Sequence, residues 1–288
     1  MSAIKLVECP RDAMQGIKQM IDTDTKVSYM NQLLQVGFDT LDFGSFVSPK
    51  VIPQMADTVE VLNRLDLSQT QTKLLAIIAN ERGAEEAASH AAIRYLGYPF
   101  SVSETFQLRN TNATIKESLE RVKAIQRIAE AGQKEVVIYI SMGFGNPYGD
   151  EWNVEVVQGW VDTLADMGVK ILSLSDTIGV ANAETIAYLF GNLIPPHPEV
   201  EFGAHLHTHA HNWREKIEAA YSNGCKRFDA ALRGFGGCPM ATDDLTGNMP
   251  MENLLGYFAD EKVDLGLNTD AFQKAMLMTD SVFGINAH

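Results

Sequence analysis

The chain has 288 residues, with 23 Lys plus Arg against 37 Asp plus Glu, a formal charge of −14. Hydrophobic residues at 45% exclude a disordered chain, and the acidic balance argues against a general nucleic-acid binder, whose phosphate partner wants a positive surface. The three cysteines, Cys9, Cys225 and Cys238, are too few and too odd in number for a disulfide framework and read as free thiols in a reducing compartment.

No apolar run reaches the roughly 18 residues needed to cross a bilayer. The N-terminal MSAIKLVECPRD has no basic segment leading into an apolar one, so a cytoplasmic protein without signal peptide is expected. Apolar, β-branched runs follow in chain order at 4–8, 38–43, 73–79, 98–103, 136–142, 169–174, 201–206 and 227–232. Helix-like stretches with apolar spacing of three and four separate most of them. The clearest is 114–131, with Thr114 as N-cap, Glu117 completing a capping box and Gly132 as the stop.

About eight strands, roughly thirty residues apart, form a βα repeat. Near-continuous apolar strands suit a parallel sheet covered on both faces. No low-complexity linker divides the chain, so residues 1–288 are expected to form one α/β domain, a (β/α)8 TIM barrel. A doubly wound open sheet is the runner-up, but its glycine-rich first turn is missing; the turn here is CPRDAMQG.

A barrel gathers its chemistry at the C-terminal ends of its strands. Arg11 and Asp12 follow the first run, Asp42 the second, Glu104 the fourth and Asp176 the sixth. His205 and His207 lie on the seventh, and the eighth leads to Arg233, then GFGGCPMA with Cys238, and Asn248. Alternate strand residues share a face, so both histidines can point into the mouth. Two imidazoles at i and i+2 with a carboxylate such as Asp12 suit a divalent cation, Mg²⁺ or Mn²⁺; zinc, more often held by three strong N/S ligands, is the alternative. The plain alternative is a hydrogen-bonded pair. His209 and His211 are expected beyond the strand, without a role. Lone Cys238 reads equally as a small buried residue or as a reactive thiol on a glycine loop.

Together ECPRDAMQ, FVSPKVIPQM, SVSETF, SDTIGVAN, HLH and GGCPMA…GNMPMEN resemble the 3-hydroxy-3-methylglutaryl-CoA lyase family, within the barrel metallo-lyases and Claisen-type condensing enzymes. The resemblance covers nearly the whole chain. FVSPK…PQM, and GGCP followed by GN and Glu, point to the lyase branch. It implies Asp12, His205, His207 and Asn248 as ligands of Mg²⁺ or Mn²⁺, with no organic cofactor beyond the CoA thioester. It implies Arg11 on the thioester carbonyl, Cys238 as catalytic thiol, and His205 or Asp12 as base. Lys18, in a first helix facing the barrel top, and Ser45, Asp176 and Glu252 fall on positions that shape the site or hold the substrate. The partner implied is a small-molecule acyl-CoA, not nucleic acid or membrane, and the assembly a homodimer. Lys18, Lys50 and Arg109 are candidates for its phosphates, with solvated surface cations as the alternative.

The chain departs from the family at Asp42, where a glutamate stands, which shortens the reach by a methylene. Thr208 replaces the aspartate of HxHD, and Ala13 the glycine after Arg-Asp. Asp243 and Asp244 occupy a loop that is small and glycine-rich in the family. The implied reaction is retro-Claisen cleavage of 3-hydroxy-3-methylglutaryl-CoA, or a close analogue, to acetyl-CoA and acetoacetate. A Claisen-type synthase acting on a 2-oxo acid, or a weakly catalytic acyl-CoA-binding paralogue, are the competing readings.

Overall fold

The computed structural model describes residues 4–237 and 247–284. The elements run β1 (Lys5–Glu8), α1 (Pro10–Gln15), α2 (Thr23–Leu34), β2 (Thr40–Ser45), a 3-10 turn (Pro53–Met55), α3 (Thr58–Asn63), β3 (Lys73–Ile77) and α4 (Glu81–Ala88). They continue with β4 (Ile93–Ser101), α5 (Glu104–Thr111), α6 (Ile115–Ala131), β5 (Glu135–Ser141), α7 (Val154–Asp166), β6 (Ile171–Ser175), α8 (Ala183–Leu193) and β7 (Glu201–His205). The last part holds β8 (His207–Thr208), α9 (Trp213–Ser222), β9 (Arg227–Ala230), a 3-10 turn (Leu232–Gly234), β10 (Gly247–Asn248), α10 (Met251–Asp260) and α11 (Thr269–Val282).

Strands β1 to β7 and then β9 pair in parallel, and β9 pairs back to β1, closing an eight-stranded barrel. Alternation along the strands divides the apolar residues into two clusters. Leu6, Leu41, Leu74, Leu96, Ile138, Leu172, Phe202 and Phe228 face outward under the helices and belong to the main core. Leu75, Tyr95, Val137, Tyr139 and Ile171 fill the barrel interior as a second, smaller cluster.

The interior is tight. A Cβ on Gly97 would lie 2.6 Å from Ile77 Cδ1 and 3.1 Å from the Tyr139 ring, so only glycine lets those side chains meet across β4. Above this plug the inward positions turn polar, with Asp42, Ser141, Ser175, His205 and Asp229 at the upper ends of their strands.

The long helix α6 forms as expected: Thr114 Oγ1 accepts from Glu117 N–H, and the Glu117 carboxylate accepts in return from Thr114 N–H. Strand β4 begins at Ile93, five residues before the run expected at 98–103. Lys18 lies beyond α1, which ends at Gln15, so it is exposed and not helical as expected. No helix among the described residues is long and apolar enough to cross a membrane.

Candidate active site

Pro10 at the first helical position turns the chain sharply out of β1, which sets Arg11 and Asp12 on the first turn of α1 above the barrel. A cavity of about 230 Å³ opens there, lined by Arg11, Asp12, Asp42, His205 and His207 among others. Arg11 is buried, and each of its three guanidinium nitrogens donates; among the described residues one Nη2 hydrogen is left over. Its Nη2 donates to Asp42 Oδ2 at 2.6 Å and its Nε to both Asp42 oxygens at 3.1 and 3.2 Å. Its Nη1 donates to Asp12 Oδ1 at 3.0 Å and Gln15 Oε1 at 2.8 Å. The shorter Asp42 therefore still reaches the arginine. Burial pushes the Asp42 carboxyl up to about 6, against the pull of Arg11.

Asp12 touches Arg11 on one side and Asn248 on the other, whose Nδ2 donates to Asp12 Oδ2 at 2.7 Å. Burial would raise its carboxyl, but Arg11, His205 and the Asn248 hydrogen bond outweigh it and hold it at about 2. His205 ends β7, and His207 begins the separate short strand β8, so the histidines do not share one continuous strand. Their rings still meet, with centroids 5.5 Å apart. β8 pairs antiparallel with β10 so that His207 stands opposite Asn248. Burial, and then the charge of His205, push the His207 imidazole down to about 3, so it is neutral and free to ligate.

Asp229 was not singled out in the sequence. It pairs in register with His205 across β7 and β9 and lies with Oδ2 3.3 Å from His205 Nδ1. Burial lowers His205, but the Asp229 contact and charge outweigh it and the net direction is upward. A carboxylate inside an apolar strand, RFDAAL, was the available signal. Thr208 leaves the position after His207 without a carboxylate, and Asp229 supplies one to His205 from the neighbouring strand.

Asp12, His205 and His207 each present a ligand atom, all within 4.8 Å of one another. One ionised carboxylate and two imidazoles, with Asn248 beside them, fit a divalent cation such as Mg²⁺ or Mn²⁺. Asn248 donates its amide nitrogen to Asp12 and to Phe235 O at 2.9 Å, so among the described residues its oxygen is left for an ion. A second group, Cys9, His205 and Asp229, shares His205. There burial and the charge of Asp229 push the Cys9 thiol well up, which disfavours the thiolate a softer ion would need.

The glycine loop passes directly over this centre. Gly236 has φ +99°, and a Cβ there would lie 2.6 Å from Asn248 Nδ2 and 2.9 Å from the Asp12 carbonyl oxygen. Its near end is anchored by Phe235, stacked on Phe283 beyond α11 at 4.3 Å, and by Arg233, 3.4 Å from Asp280. Cys238, Asp243 and Asp244 lie outside the described residues.

The other expected positions, Arg109 apart, fall away from the cavity lining. Asp176 follows inward-facing Ser175 by one residue and so turns outward, where Oδ2 accepts from Lys216 Nζ at 2.7 Å. Lys216 also holds the His207 carbonyl at 2.8 Å, so the pair supports β8 from below. Glu252 Oε2 accepts from Arg233 N–H at 3.0 Å and fixes the 3-10 turn. Ser45 Oγ accepts from Val47 N–H, shaping the turn after β2. Glu104 caps the start of α6 by accepting from Ile115 N–H. Lys18 and Lys50 are exposed; Arg109 lines the cavity. His209 and His211 are exposed beyond β8.

A family model described as HMGL-like matches residues 3–278. The chain is 32% identical to a Pseudomonas aeruginosa protein named 3-hydroxy-3-isohexenylglutaryl-CoA/hydroxy-methylglutaryl-CoA lyase, over 98% of this chain and 93% of that one. It is 29% identical to the (R)-citramalyl-CoA lyase of Chloroflexus aurantiacus, over 94% of this chain and 88% of the other. The crystal structure of the HMG-CoA lyase from Brucella melitensis superposes with a TM-score of 0.90 at 27% identity, covering 99% of this chain and 100% of that one.

Proposed function

The chain belongs to the HMGL-like family and is hydroxymethylglutaryl-CoA lyase-like, and from that premise we propose that it cleaves 3-hydroxy-3-methylglutaryl-CoA, or a close tertiary 3-hydroxyacyl-CoA, to acetyl-CoA and acetoacetate or the matching keto acid. The observation that carries this reading is the meeting, in one cavity, of a clamped arginine with the Asp12, His205 and His207 group.

The reaction must remove the proton of the C3 hydroxyl while the C2–C3 bond breaks and charge moves onto the thioester oxygen. Asp12, His205, His207 and Asn248 would hold a divalent cation, which supplies Lewis-acid activation of the hydroxyl. Arg11 stays charged at all working pH values and is pre-oriented by Asp42 and Gln15, so it stabilises the enolate oxygen without reorganising. His205 has its Nδ1 toward Asp229, and the opposite nitrogen either ligates the cation or takes the hydroxyl proton, not both at once. Asp12, the other acceptor in the same cavity, is the weaker base, because Arg11, His205 and Asn248 hold its carboxyl at about 2. Cys238 is assigned the protonation of the enolate carbon that releases acetyl-CoA.

The citramalyl-CoA lyase relative supports a second substrate, since citramalyl-CoA carries the same tertiary hydroxyl and free carboxylate on a shorter chain. The reading includes a cytoplasmic homodimer. Its test is incubation of Mg²⁺-loaded protein with either thioester, measuring acetoacetate or pyruvate, with an EDTA-treated control. EDTA-sensitive product is expected; folded, metal-bound protein that cleaves neither thioester overturns the reading.

A further inference from the structure

We propose that Arg109, at the rim of the cavity, receives the free carboxylate of the acyl chain and thereby selects dicarboxylic acyl thioesters, an assignment that rests on the lyase reading above. Two guanidinium groups line the cavity, Arg11 and Arg109. Arg11 is engaged by Asp42, Asp12 and Gln15. Arg109, on the last turn of α5, has no carboxylate within ion-pair distance among the described residues. What holds it is an aromatic face: its guanidinium carbon sits 4.7 Å over the Tyr148 ring. Tyr148 stacks in turn on Phe106, at 6.4 Å and 24°, and Phe106 is buried in the cavity wall.

A face contact fixes the plane of a guanidinium and leaves its N–H edge free, and that edge matches a carboxylate with two parallel hydrogen bonds. The cavity lining also includes the apolar side chains of Val47, Val51, Ile52 and Phe106. The field of a chain with charge −14 opposes entry of an anionic substrate, and an exposed cation held at the cavity rim by the Tyr148 ring opposes that field locally.

The geometry favours a carboxylate over a phosphate. Arg109 shares a space of about 230 Å³ with Arg11 and His205, which suits an acyl group and not a nucleotide. The phosphates of CoA lie a whole pantetheine arm from the thioester. Asn110, lining the same cavity, adds an amide donor beside the arginine.

The test titrates Mg²⁺-loaded wild type and Arg109→Gln with glutaryl-CoA, butyryl-CoA and free CoA by calorimetry. Wild type is expected to prefer glutaryl-CoA over butyryl-CoA. Arg109→Gln should weaken glutaryl-CoA about 10–100-fold, the range for a charged hydrogen-bonded contact, leave the other two within about twofold, and keep the Mg²⁺ affinity. Arg109→Lys, which keeps the charge but loses the fork, should recover part of the loss. Equal weakening of all three ligands would assign Arg109 to a CoA phosphate and overturn the proposal, as would no weakening at all. A wild type that binds none of the three fails at the lyase reading itself, and the proposal falls with it.

Discussion

The Nη2 of Arg11 lies 2.6 Å from Oδ2 of Asp42, with the Nε of the same guanidinium on both carboxylate oxygens, so the second strand holds the arginine of the first helix in a fixed plane. With the Asp42 carboxyl pushed up to about 6, protonation removes this partner within the working pH range. The ratio of kcat/KM between wild type and Asp42→Asn should therefore rise as pH increases through about 6 and level off above it. We expect a plateau of about 10–100-fold, the worth of a hydrogen bond to a charged group. A ratio flat from pH 5 to 8 would remove Asp42 from this role.

If Asp12, His205 and His207 hold the proposed cation, Asp229 acts on it through His205, whose Nδ1 lies 3.3 Å from its Oδ2. Asp229→Asn should weaken Mn²⁺ binding about 10–100-fold, the usual consequence of losing a carboxylate behind a ligating histidine. Equilibrium dialysis or Mn²⁺ paramagnetic resonance measures this without turnover. Unchanged affinity would mean that the ring is oriented by its packing against Tyr139 instead.

Asp176 and Lys216 form an ion pair with no exposed side-chain surface. Asp176→Ala leaves a buried ammonium with only carbonyl partners, at a cost of about 3–5 kcal/mol, so Tm should fall by roughly 5–15 °C. The double variant Asp176→Leu, Lys216→Met should recover much of that loss, since apolar replacement removes the stranded charge. A Tm for the double variant no higher than for Asp176→Ala counts against this account.

Gly236→Ala combines two penalties. The φ of +99° costs a side chain about 1–2 kcal/mol, and the new Cβ meets Asn248 Nδ2 at 2.6 Å and the Asp12 carbonyl at 2.9 Å. The loop must lift, and Asn248 loses its hold on Asp12. We expect weaker Mn²⁺ binding and turnover reduced at least about tenfold, with Tm lowered by only a few degrees. Wild-type metal affinity in this variant would show that the loop moves without disturbing the ligands.

The repeat of the fold was legible because outward strand positions are consistently apolar, from Leu6 to Phe228. The early part of β4 was not, because the expected run at 98–103 begins only after Gly97, a residue that weakens a strand pattern. Gly97 and Pro99 both face the barrel interior, where Gly97 makes room for Tyr139 and Pro99 lines the cavity, so they answer to volume and not to backbone propensity. In the site, Arg11, Asp12, Asp42, His205 and His207 were legible as polar residues at strand ends, and the structure brings them together. Asp176 was placed there by the same rule and is absent from the lining, because one residue of phase turns it toward Lys216. Asp229 was hidden by the opposite effect, a charge inside what reads as an apolar strand, whose meaning depends on the register with His205.

The stack of Phe235 on Phe283 has a consequence for how the molecule comes into being. Arg11 and Asp12 are made well before residue 283, yet the near post of the loop above them finds its partner only when residue 283 has been made. A nascent chain can close its barrel once β9 is out and still lack the clamp over its cation ligands. Until residue 283 is available the growing polypeptide is a scaffold with an unguarded mouth.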